Sequence, residues 1–333
     1  MRYNGNGVIE AETAGSLMKK EFITIQTTST VDEAIMHLRE TVGEMKNIHY
    51  LYIINEFDGL VGALSIRELL SANGSKPVTE VMVKKLSTFT ADKDQEKVAR
   101  IFQDTDLVSI PVVNRQNVIL GVVHVEDILD VMQQEATEDI HKMASVTTAP
   151  PALEGGLMDA TVGLLYRKRI VWLVILVFMN VFSGAGIAHF EDIIEANIAL
   201  VFFLPLLVDS GGNAGSQSAT LVIRAMAIGD VKIRDWFKMF TKEITVAAAM
   251  GFTMALAVSV VGVVRGGVDI AIVVALTMAL IVVVGSVVGM SLPFIFKKLK
   301  LDPATASAPL ITSLCDIVGV LIYFGIAAWF LNL

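Results

Sequence analysis

One aspartate in an otherwise apolar stretch carries most of the chemical information in this sequence. Ala306 to Phe330 reads ASAPLITSLCDIVGVLIYFGIAAWF, with Asp316 near its middle. The stretch exceeds the roughly 20 apolar residues needed to cross a bilayer. A carboxylate at mid-membrane costs about 2.5–3.5 kcal/mol on insertion scales, so it faces a water-filled cavity or a partner and not lipid. No intramembrane lysine or arginine is at hand to neutralise it, and a pathway for a cation is the leading reading. A protonated Asp316 hydrogen-bonded between helices is the alternative. A second polar set lies in LPLLVDSGGNAGSQSAT from Leu204. Its Pro205, Asp209 and Gly211-Gly212 predict a broken or cavity-lining segment rather than a plain helix. Small residues there also let helices approach closely. Close packing leaves Asn213 and Gln217 unexplained, since their spacing of four puts two amides on one face, as in a pore lining.

A third set is acidic. Asp127, Asp130, Glu135, Glu138 and Asp139 crowd one short region, with spacings that place carboxylates on neighbouring helical turns. Such charges repel unless cations sit between them. A solvated charged helix competes with a cation-sensing one.

These groups are positioned by two very different halves. At 333 residues there is room for two domains. The mean hydropathy of +0.63 is too high for an ordinary soluble protein, and the apolar excess lies after residue 165. One cysteine excludes a disulfide framework and thiolate metal sites. Five histidines without i, i+4 pairing argue against zinc or copper as substrate. The net charge of −8 argues against nucleic acid as a partner. No P-loop, metalloprotease motif or catalytic triad setting is present, so no enzyme is expected. MRYNGNGVIEAETAG lacks the apolar core of a signal peptide, which places the first half in the cytoplasm.

Residues 15–132 hold two copies of one pattern, 15–75 and 79–132, after a tail over 1–14. Leu17-Met18-Lys19-Lys20 and Phe22–Ile25 correspond to Val81-Met82-Val83-Lys84-Lys85 and Leu86–Thr90. Amphipathic helices from Val31 and Gln95 follow. Strands YLYII at Tyr50 and SIPVV at Ser109 come next, then GLVGAL at Gly59 and ILGVVH at Ile119, then closing helices from Ser65 and Val125. A charged connecting helix is expected over 133–165, interrupted by the prolines and glycines of Thr147–Gly156 and resuming at Met158.

Five apolar segments fill 166–333: Ile170–Ile187, Ala196–Ile223, Thr245–Val264, Val268–Phe296 and Ala306–Phe330. Arg167, Lys168 and Arg169 precede the first. Arg224, Lys232, Arg234, Lys238 and Lys242 separate the second from the third, and Lys297, Lys298 and Lys300 separate the fourth from the fifth. By the positive-inside rule these flanks are cytoplasmic, which gives five spans and an external C-terminus.

The doubled β-α-β-β-α pattern resembles a pair of CBS domains, which implies a dimerising regulatory module that often senses an adenine nucleotide. Nucleotide-binding copies show Gly-x-x-Ser/Thr-x-x-Asp. Here the run from Gly62 ends in Glu68, and the run from Gly121 carries His124 in place of the hydroxyl, so nucleotide sensing and a purely structural module both stand.

Three further runs extend the resemblance to the MgtE family of magnesium channels: EATEDIHKMASV from Glu135, Pro205 to Gln217, and Asp302-Pro303-Ala304-Thr305-Ala306-Ser307 leading to Thr312-Ser313-Leu314-Cys315-Asp316. The order of CBS pair, acidic connecting helix and five spans matches as well. The resemblance implies a homodimer in the inner membrane with its pore on the two-fold axis, lined by the second and fifth spans. Asp316 matches the pore aspartate, and Gly212, Asn213, Gln217 and Thr312 are the accompanying pore positions. Asp302 with Asp127, Asp130, Glu135, Glu138 and Asp139 matches places where regulatory Mg²⁺ bridges the connecting helix, the CBS pair and the membrane domain. Gln134 stands where the family often has Glu. Family members also carry an acidic helical domain before the CBS pair, for which the tail here leaves no room. The implied function is a Mg²⁺ channel or transporter closed by intracellular Mg²⁺. Another divalent cation (Co²⁺, Mn²⁺ or Ni²⁺) and a CBS membrane sensor without transport are the alternatives.

Overall fold

The computed structural model describes residues 3–4, 7–8, 11–45, 47–147 and 158–332. Most of the 1–14 tail and the interruption over 148–157 therefore lie outside the described residues. The chain divides into two compact units, Met1–Ala136 and Thr137–Leu333.

The first unit is the tandem repeat. In the first copy, strand β1 (Ile23–Gln26) runs parallel to β2 (Tyr50–Ile54), which pairs antiparallel with β3 (Leu60–Ser65). In the second, β4 (Phe89–Thr90), β5 (Ser109–Val113) and β6 (Ile119–His124) repeat that order and those directions. Helix α1 (Val31–Thr41) starts where Thr30 and Glu33 cap each other reciprocally, and it buries Val31, Ala34 and Leu38. The short α2 (Ile66–Ser71) opens on an equivalent Ser65–Glu68 box. Helix α3 (Gln95–Asp104) is capped by Asp94 and buries Val98, Ala99 and Phe102.

The two copies exchange their lead-in segments. Lys19 bridges to Val122 on β6, and Val83 bridges to Ala63 on β3. Each copy thus completes the edge of the other's sheet. Tyr52, Leu60, Ala63, Val113, Ile119 and Val122 form the shared core between them.

Helix α4 runs from Val125 to Met143. The helix that closes the second copy and the acidic helix are therefore one element, which ends at Met143, ahead of the expected interruption. It stops because Ser145 adopts a left-handed conformation (φ 57°). Val146 N–H then bonds to His141 O at 2.8 Å and Ser145 N–H to Lys142 O at 2.9 Å, a Schellman ending in which serine stands where glycine is usual. Helix α5 (Val162–His189) begins at the Thr161 cap and not at Met158.

The second unit is helical. Helix α6 (Ala199–Ala227) is continuous through Pro205 and the glycines. This corrects the expectation of a broken segment. The glycines serve contact: a Cβ on Gly215 would lie 2.7 Å from the Gly285 carbonyl and 2.8 Å from Ile311, and Gly211 and Gly289 are equally confined. Gly211/Gly215 and Gly285/Gly289 are thus two small-xxx-small pairs packed on each other. Helix α7 (Trp236–Lys298) reverses at Gly267 (φ 80°), a left-handed position suited to glycine. Gly251 lies against Ala279 and Gly262 against Ala271, so its two limbs run antiparallel. Helix α8 (Ala308–Leu331) is held to the start of α6 by the buried Tyr323 hydroxyl, which donates to Leu200 O at 2.8 Å.

Three helical stretches are long and apolar enough to cross a membrane among the described residues: Val162–His189, Ile233–Lys298 and Ala308–Leu331. The polar run of α6 keeps it out of that set. Val171, Leu173, Val177, Phe178, Val181 and Phe182 project outward from α5, an apolar surface that suits lipid and not water. Gly215→Val is expected to lower the melting temperature in detergent, at a cost of about 1–3 kcal/mol, because it overpacks a backbone-to-backbone contact. An unchanged melt would show that the α6–α7 seam yields freely.

Candidate ion pathway and its acidic regulator

The packing that buries the glycines of α6 turns its polar residues outward. Leu207, Gly211, Ala214, Gly215 and Ser218 are buried, whereas Asp209, Asn213 and Gln217 are exposed at intervals of four along one face. Asn213 Nδ2 donates to Asp209 Oδ2 at 2.9 Å. The expected pair of amides is thus a carboxylate and two amides. Asp209 was missed as a site residue because it was grouped with a presumed break, although its spacing from Asn213 already placed it on the same helical face. On α8, Thr312 packs directly against Gly212, whose missing side chain makes room for it. Asp316, one turn further on, is half-buried and within electrostatic range of Asp209. The structure therefore brings Gly212 to Thr312 and Asp316 towards Asp209, and it sets Asn213 and Gln217 on the face that Asp209 begins. None of the ion pairs found among the described residues involves Asp209 or Asp316.

The acidic residues are distributed differently from the expected single cluster. Asp127 Oδ1 is paired with Lys19 Nζ at 2.8 Å, and Glu126 lies 3.5 Å from the same ammonium. The hydrogen bond to Asp127 pushes the Lys19 pKa up, against the effect of partial burial. Asp130 is exposed. Glu135 accepts from Gln95 Nε2 at 2.6 Å. Glu138 and Asp302 converge on one ammonium, with Lys142 Nζ 2.6 Å from Glu138 and 2.5 Å from Asp302. Burial alone would lower the Lys142 pKa, but the hydrogen bonds to Asp302 and Glu138 outweigh it and raise the value. Asp139 is half-buried on the same helix. Among the described residues no three His, Cys, Asp or Glu side chains gather closely enough to hold a metal ion. The donors present are nonetheless all carboxylate oxygens, the hard ligands that Mg²⁺ prefers, and two of them already share a positive charge. Those two are Glu138 and Asp302, which meet on the Lys142 ammonium.

The end of α4 is tied to the start of α8. The other oxygen of Asp302 caps the turn at Ala304 N–H (2.8 Å), and Ser145 Oγ meets Ser307 Oγ at 2.7 Å. Ser307 is the N-cap of α8, and Met143 packs beside Ala304, Ala306 and Ile311. Thr147 is tied in turn to α5: its N–H donates to Lys168 O at 2.9 Å, and Lys168 Nζ donates to Thr147 O at 3.2 Å.

A shallow cleft lies within the first unit, lined by Phe22, Asn47, His49, Tyr50, Tyr52 and His124 among others. The Tyr52 hydroxyl, bonded to Ser109 at 3.2 Å, has its pKa pushed up to about 12 by burial. Burial likewise lowers the pKa of His124, whose Nδ1 has no partner.

A tandem CBS pair followed by long apolar helices, one of which carries an exposed polar face, defines a CBS-bearing membrane protein. The comparisons agree. Residues 204–326 match the MgtE model, described as a divalent cation transporter, and residues 14–74 and 78–134 match the CBS domain. The magnesium transporter MgtE of Thermus thermophilus is 38% identical over 96% of this chain and 70% of its own length. That of Bacillus subtilis is 35% identical over 97% and 70%. The crystal structure of the cytosolic domain of the Mg²⁺ channel MgtE in complex with ATP is similar at 36% identity, over 37% of this chain and 50% of that one, with a TM-score of 0.36. The chain belongs to the MgtE family.

Proposed function

We propose that this chain is a Mg²⁺-selective channel or transporter whose opening is controlled by intracellular Mg²⁺ through the CBS pair and α4. The observation that carries the reading is the uncovered face of Asp209, Asn213 and Gln217 on a helix packed among apolar spans, with Asp316 within electrostatic range of Asp209. Polar groups at membrane depth are tolerated where they line a cavity. A second copy related by a two-fold axis would close that face into a pore with a doubled set of carboxylates and amides. Oxygen ligands of this kind can hold a largely hydrated Mg²⁺, which sheds water reluctantly.

In this reading α5, α6, the two limbs of α7 and α8 are five spans. The CBS pair lies in the cytoplasm and the C-terminus outside, in keeping with the basic flanks. Asp127, Asp130, Glu135, Glu138, Asp139 and Asp302 form the Mg²⁺-sensing set. The Asp302 and Ser307 contacts carry its state to the helix that bears Asp316. His124 replaces the hydroxyl of nucleotide-binding CBS copies and Lys19 already holds Asp127, so gating is assigned to carboxylates and not to a nucleotide.

Purified protein in liposomes is expected to pass Mg²⁺ in preference to Co²⁺, Mn²⁺ and Ni²⁺ when each is offered in turn. Equal passage of all four would remove the selectivity, and no passage of any would leave a CBS sensor without transport.

A further inference from the structure

The sensing set holds lysines where metal is expected. Lys142 Nζ sits between Glu138 and Asp302, and Lys19 Nζ sits against Asp127. Lys142 occupies the last turn of α4, and of its two acceptors one is Glu138 on α4 itself and the other is Asp302, 160 residues further along the chain and just ahead of α8. Asp302 is not free to turn away, because its second oxygen caps the Ala304 turn. A carboxylate pair sharing one ammonium is neutralised less completely than one sharing a divalent ion. The contact therefore holds α4 against the start of α8.

We propose that Lys142 is a tethered cation standing in the place a regulatory divalent ion must take, so that Mg²⁺ binds there only by displacing it. Lys142 then sets the Mg²⁺ concentration at which the sensor closes. The inference rests on the reading of Glu138 and Asp302 as regulatory ligands. The hydrogen bond between Ser145 and Ser307 and the packing of Met143 keep the end of α4 docked while the ammonium leaves, so exchange does not require the helix to come off. The strained left-handed backbone of Ser145, where glycine would be less costly, is consistent with a position held for its hydroxyl. When displaced, the Lys142 side chain has solvent to enter, since a quarter of it is already exposed.

The test is the melting temperature of full-length protein in detergent across a Mg²⁺ titration, because an ion bound only by the folded state raises it by mass action. Lys142→Met takes one like charge from the site. It is expected to shift the midpoint of Mg²⁺ stabilisation about tenfold towards lower concentration, the order that loss of a close like charge gives at a half-exposed site. Lys142→Gln, which keeps polar contact with both carboxylates, is expected to shift it the same way and serves if the methionine variant does not fold. Lys242→Met removes the same charge from an exposed position on α7 and is expected to leave the midpoint in place. A midpoint unmoved or raised in both Lys142 variants overturns the inference. If instead Glu138→Gln with Asp302→Asn melts with wild-type Mg²⁺ dependence, the regulatory reading of those acids has failed, whatever Lys142 does.

Discussion

Replacing Asp316 by alanine is expected to reduce Mg²⁺ entry by about an order of magnitude or more, while the protein remains folded. The carboxylate is half-buried in α8, in a helix whose other members are almost all apolar, and no lysine or arginine among the described residues pairs with it. Its insertion cost of about 2.5–3.5 kcal/mol is recovered only by an ion or by water. Removing it should therefore leave insertion no worse and take away the strongest ligand on the pathway. Asp209, within electrostatic range of Asp316, belongs to the neighbouring helix α6. The alanine variant thus also tests whether α6 and α8 act as one lining. Wild-type entry through a folded Asp316→Ala protein would end the pore assignment.

Neutralising Glu135, Glu138 and Asp139 together (Glu135→Gln, Glu138→Gln, Asp139→Asn) is expected to give a channel that keeps conducting at high internal Mg²⁺. Two carboxylates some 4 Å apart repel by roughly 4 kcal/mol at an effective dielectric of about 20, before screening. A two-fold axis would double the set, and a gate needs only about 5.5 kcal/mol of differential binding to swing from mostly open to mostly closed. Lys19 and Lys142 offset part of that repulsion in the absence of metal. Mg²⁺ would supply the rest and pull the halves together, so the transported ion limits its own entry. Entry measured against internal Mg²⁺ checks this directly. A triple variant that closes at the wild-type concentration would place the sensor elsewhere.

The CBS pair was legible almost residue for residue. Strands such as YLYII and SIPVV and helices such as VDEAIMHLRE announce themselves through local spacing, and the duplication states each twice. The membrane half was legible in its apolar segments and in Asp316, which stands out against its neighbours. Its helix α6 was misread because proline and paired glycines are breakers when judged locally. Here the Gly211/Gly215 pair seats against Gly285/Gly289, and that distant contact keeps the backbone helical. Lys142 was invisible as a participant for a related reason. It looked like one more charge on a solvated helix, and its partner Asp302 lies 160 residues away. Spacing along a chain shows which charges share a face. It does not show which distant acid a lysine will reach.

The central claim, that this chain passes Mg²⁺ and is closed by it, is tested most directly by Mg²⁺ entry into liposomes holding the purified protein, with Mg²⁺ on the CBS side stepped from low to high. The account predicts rapid entry at low Mg²⁺ on that side and a fall towards the protein-free background as it rises. Entry that is absent at every concentration, or that proceeds unchanged as Mg²⁺ on the CBS side rises, would contradict it.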